Sequence, residues 1–141
     1  IDVDAMVKLT NERQFQKWFE KNLAKLAQAI NQRNRHNRRI HPGYQWGHAT
    51  KVLTLYLREI VENRRYFSDD EVNRISPWLY SPLDSIAIKR LKKLGCALPF
   101  RTIKEIDTPR KFYDVQSQLG EVAGKVGVPR VWFDDNWGDR Q

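Results

Sequence analysis

The sequence predicts an all-α fold, a compact helical domain spanning residues 1–141 as one unit. Across two long stretches, apolar residues recur at spacings of three and four, as in helices with one buried face. No stretch shows the sustained period-two alternation of a half-buried strand. Helix punctuation is frequent. Thr108-Pro109 sets a cap before a proline at the first helical position, and Gly95 and Gly127 stand where helices stop.

Thr10 and Asn11 offer caps for the first helix, expected from about residue 11 to 32. Phe15, Trp18, Phe19, Leu23, Leu26, Ala27 and Ile30 form its apolar stripe, and Arg13, Lys17, Lys21 and Lys25 fall mostly on the other side. A second helix is expected from about Gly47 to Arg64, with Val52, Leu53, Tyr56, Leu57 and Ile60 facing inward. Ser68-Asp69-Asp70-Glu71 gives the acidic first turn of a short helix ending near Ile75. Pro77 and Pro82 bracket a connection, followed by a helix from about Leu83 to Leu94. Leu98 to Asp107 reads as loop with one helical turn, and Thr108 opens a helix running to about Val126. Pro129 opens a last short helix carrying Val131, Trp132, Phe133 and Trp137. Trp132 and Trp137 have two open readings, as core residues or as base stackers.

The charge balance is 25 − 17 = +8, with a sequence pI of about 9.8, which suits a polyanionic partner such as nucleic acid. Cys96 is the only cysteine, so an intramolecular disulfide and a cysteine-rich zinc site are both excluded; it is expected to be a small buried apolar residue. His36, His41 and His48 lack the two-histidine helical spacing with a carboxylate that a metal site would use, and neither metal nor cofactor is expected. No apolar run approaches the length of about 20 residues that crosses a bilayer, and there is no signal-peptide pattern. The expected setting is intracellular: cytoplasmic and nucleoid-associated, or nuclear. Ile1-Asp2-Val3-Asp4 opens without methionine, which fits a chain lacking some N-terminal elements.

Two positions carry the chemical expectation. Lys51 stands at the start of an apolar helical pattern, where the partial positive charge of a helix N-terminus penalises an ammonium and favours the neutral, nucleophilic amine. In Ser81-Pro82-Leu83-Asp84, Asp84 opens the next helix, where the same field keeps a carboxylate ionised. Between the first two helices lie Arg33, Arg35, Arg38 and Arg39, suited to gripping phosphate. His48 suits a cap for the Lys51 helix or a phosphate contact.

Pro42-Gly43, Gly47-x-x-Thr50-Lys51-Val52 and Pro82-Leu83-Asp84 together resemble the helix–hairpin–helix DNA glycosylase superfamily, and within it the 8-oxoguanine glycosylase/lyases of archaeal type. The resemblance covers about a third of the chain, from Pro42 to Leu94. Tyr44-Gln45-Trp46 separates the glycines where the family has a tighter turn, and Ile86 replaces a usually polar residue. The resemblance implies a helix–hairpin–helix-like element, with Gly43, Gly47 and Thr50 against DNA, Lys51 as nucleophile and Asp84 as its partner.

The implied activity is that of a bifunctional DNA N-glycosylase with AP lyase action on an oxidised purine, working as a monomer on damaged, double-stranded DNA. Asp84 would stabilise the oxocarbenium-like sugar while the Lys51 amine attacks C1′, expels the base and forms a Schiff base; β-elimination would follow. The flipped base would need a pocket, for which Trp132, Phe133 and Trp137 offer aromatic surface and Gln116 or Gln118 an amide to read its edge. The alternative is a non-catalytic, basic helical module binding DNA or RNA. A third reading is a protein-interaction domain docking through its aromatic C-terminus.

Overall fold

A computed structural model describes residues 1–34, 44–63 and 66–132, with backbone only at 33, 34, 44 and 45. Among the described residues the protein is all-α, with six α-helices and no strand. They are α1 (Val3–Val7), α2 (Glu12–Asn34), α3 (Tyr44–Glu62), α4 (Asp69–Ile75), α5 (Ser85–Lys93) and α6 (Pro109–Lys125). Three single-turn 3₁₀ helices, Ser76–Trp78, Ile103–Glu105 and Arg130–Trp132, fill the connections.

Local chemistry sets most of the boundaries. The Asn11 carboxamide oxygen accepts from Gln14 N at 2.9 Å and opens α2. Ser68 and Glu71 form a reciprocal capping box at α4, and the Thr108 hydroxyl accepts from Lys111 N ahead of Pro109 in α6. Gly95 (φ 89°) and Gly127 (φ 75°) follow α5 and α6 in the left-handed conformation that side chains resist. Helix α1 had no counterpart among the predicted elements. Its signal is Asp2, which caps the helix by accepting from Ala5 N at 2.9 Å.

The core is aromatic where the helices meet. Phe15, Phe19, Tyr80 and Phe112 are buried together: Phe19 lies edge-on to Tyr80 at 4.8 Å and stacks on Phe112 at 5.8 Å. Each fully buried side chain of this size contributes about 1.5–3 kcal/mol of transfer free energy. The predicted α2 stripe is the observed one: Phe15, Trp18, Phe19 and Leu23 are buried, and Leu26, Ala27 and Ile30 pack partly against the core.

Helix α3 departs from the expected orientation. Leu53 and Leu57 are buried and Ile60 packs partly against the core, but Val52 is 50% and Tyr56 39% exposed. The buried arc runs instead through Ala49, Thr50, Leu53, Thr54, Leu57 and Val61. Two threonines enter it because their hydroxyls are satisfied internally, Thr50 donating to Gly47 O at 2.7 Å and Thr54 to Thr50 O at 2.8 Å. Apolar character alone therefore misplaces Val52 and Tyr56.

The Arg130–Trp132 turn is held to the body by the buried Val131 and by the Arg130 side chain. Arg130 donates Nε to Leu79 O (2.9 Å) and Nη2 to Trp78 O (3.0 Å) and Glu12 Oε1 (3.2 Å), with its guanidinium 4.5 Å from the Tyr80 ring centre.

Candidate nucleic-acid interface

Helix α3 begins at Tyr44, so Lys51 lies about two turns inside it rather than at its start. The N-terminal field of a helix fades within its first turn, so that reason for an unusual amine at Lys51 does not apply. Gly47 is likewise helical. It is buried, and its missing side chain has a clear cause. A Cβ there would stand 2.5 Å from the carbonyl oxygen of Ile103 and 3.2 Å from that of Ile106. The residue expected in a hairpin is instead the point where α3 meets the Ile103–Glu105 turn. Thr50, expected against DNA, is buried at 2% exposure with its hydroxyl engaged, because it lies on the inward arc.

Asp84 does begin a helix, capping α5 by accepting from Ala87 N at 2.7 Å. Its carboxylate is half-buried, as is Lys51. Among the described residues no ion pair joins Asp84 to Lys51. Gln116, expected to read a base edge, faces the interior. It is 1% exposed, and its amide brackets Ser81, accepting from Ser81 N at 2.9 Å and donating to Ser81 O at 2.8 Å. Trp132 sits in the last turn, partly buried against the core. The side chain of Arg33, and Arg35, Arg38, Arg39, Gly43, Phe133 and Trp137 altogether, lie outside the described residues. Cys96 is only partly buried, with its thiol pushed up mainly by desolvation.

What the fold does bring together is a set of basic side chains at the Gly47 approach. His48 and Lys51 follow Gly47 on α3, and Lys104 follows Ile103 in the facing turn. Partial burial lowers the His48 imidazole below its ordinary pKa, and the positive charges of Lys51 and then Lys104 lower it further. Lys104 was not singled out from the sequence. Its signal is Thr102-x-x-Glu105, a capping box that fixes the turn: Glu105 Oε2 accepts from Arg101 N at 2.6 Å and Thr102 N at 3.0 Å. Those two bonds are the main reason the Glu105 carboxyl is held below its usual range.

No family model, curated protein or solved structure matches the chain. The likeness to helix–hairpin–helix glycosylases therefore rests on the short motifs around Lys51 and Asp84. Among the described residues no cluster of three histidine, cysteine or acidic side chains is arranged for a metal, and no helix is long and apolar enough to cross a membrane.

Proposed function

We propose that this chain is a helical nucleic-acid-binding domain whose contact face is built from α3 and the Ile103–Glu105 turn. The observation that carries this reading is the convergence of His48, Lys51 and Lys104 where Gly47 lets two backbones approach. The positive charges of Lys51 and Lys104, drawn from two elements, both bear on the His48 ring, so this face favours an anion. Phosphates supply that anion, and the +8 charge of the whole chain supports the same partner.

The test is affinity against ionic strength. Binding through phosphates releases counterions, so affinity falls steeply and log-linearly with salt. Replacing both Lys51 and Lys104 by Gln is expected to flatten that slope by about two phosphate contacts. An unchanged slope, or no binding at low salt, would refute the assignment.

A second reading keeps the chemistry of an oxidised-purine glycosylase/lyase, with Lys51 as nucleophile and Asp84 as the supporting carboxylate. What supports it is a half-buried Lys51 that forms no ion pair among the described residues, so no carboxylate there occupies the amine. Borohydride reduction would then trap a covalent complex on lesion-bearing DNA. Lys51→Gln would abolish both trapping and base release while binding survives. Excision at the parental rate by the Gln variant would eliminate Lys51 as the nucleophile.

A further inference from the structure

The outward stripe of α3 carries more than charge. Passing round the helix away from the Gly47 side, Lys51, Leu55, His48, Glu59, Val52 and Tyr56 follow in that order, by the helical repeat of about 3.6 residues. Val52 and Tyr56 are among the chain's exposed large apolar residues, at 50% and 39% exposure. Lys51 and His48 stand in the N-terminal half of this stripe. Its C-terminal end carries Glu59 and Glu62, which lie 3.6 Å and 3.8 Å from the Arg58 guanidinium.

An aromatic ring and an isopropyl group beside a basic edge gain less from a duplex, whose bases are stacked inside and show only their edges in the grooves. They fit a strand whose bases are unpaired, because an exposed ring can stack against any base while neighbouring cations hold the phosphates. We infer that the ligand of this face is single-stranded nucleic acid, with its phosphates along Lys104, Lys51 and His48 and a base laid on the Tyr56 ring beside Val52. This rests on the nucleic-acid reading above and adds the strandedness of the ligand and the residue that selects it.

The experiment compares the intact chain and two variants, Tyr56→Ala and Tyr56→Phe, on a labelled oligothymidylate and on a duplex of equal length, by fluorescence anisotropy at fixed low salt. The parent is expected to bind the single strand more tightly. Tyr56→Ala should weaken that binding about tenfold, within the range for one base–aromatic stack, and leave duplex affinity within about twofold. Tyr56→Phe keeps the ring and should retain single-strand affinity. Because Tyr56 points outward, both variants should fold, which a urea melt verifies. Equal single-strand affinity for the parent and Tyr56→Ala would overturn the inference, as would a parental preference for duplex. So would a Tyr56-dependent self-association with unaltered oligonucleotide binding, which would assign the stripe to a second copy of the chain. Failure of all binding at low salt would instead remove the underlying nucleic-acid reading.

Discussion

Gly47 of α3 and the Ile103 carbonyl are so close that a Cβ on the glycine would lie 2.5 Å from that oxygen. Backbone, unlike a flexible side-chain tip, has little room to retreat. Gly47→Ala is therefore expected to cost about 1–3 kcal/mol, the usual range for an overpacked interior. It should also move Lys104 away from Lys51 and His48 and weaken oligonucleotide binding. Urea unfolding with a parallel binding titration checks both, and parental stability would contradict the close approach.

Asp84 separates the structural and catalytic readings. As a cap, Asp84→Asn should change stability by less than about 0.5 kcal/mol, since asparagine caps as well as aspartate, and Asp84→Ala should cost about 1 kcal/mol. A catalytic carboxylate behaves otherwise: Asn keeps the shape and loses the charge, so base release would stop in a variant of parental stability. Thermal melts with a glycosylase assay distinguish the two outcomes.

Gln116 ties α6 to the connection before α5 through both backbone groups of Ser81. Gln116→Leu leaves a buried N–H and a buried C=O without partners, each worth about 1–3 kcal/mol when unsatisfied. The predicted result is a loss of several kcal/mol in chemical denaturation. A stable variant with altered preference among damaged bases would restore the base-reading role.

The pH response follows from His48. Its folded-state pKa lies below the ordinary histidine value of 6.5, so as pH falls the unfolded chain takes up the proton first. The contribution of His48 to stability is full above about pH 6.5 and declines as pH drops through that value towards the depressed folded one. A phosphate beside the ring reverses the preference, so binding should take up a proton and tighten on acidification over the same window. His48→Gln should flatten both dependences, measured by melts and anisotropy between about pH 5 and 7.5. Persistence of the full pH effect in that variant would assign it to other groups.

The elements were legible because their signals are local. Asn11, Ser68, Thr108, Gly95 and Gly127 each act within a turn of where they stand, and α2 shows one clean stripe. Helix α3 was misread at both ends of that logic. Its threonines enter the core by back-bonding, which a hydrophobicity pattern cannot register, and its Gly47 is demanded by a carbonyl more than fifty positions away. Proline–glycine followed by another glycine suggested a turn, yet tertiary packing made that second glycine helical. The candidate site was half-legible for the same reason. Lys51 and His48 lie in the motif, whereas Lys104 joins them only through the fold.

Arg130 ties together partners 118, 52 and 51 positions upstream. A ribosome-bound chain shorter than this cannot seal its aromatic centre against Trp78 and Leu79, whatever its helices have already formed. Folding of this unit should thus finish abruptly, with resistance to proteolysis arriving once Arg130 is available rather than accumulating helix by helix.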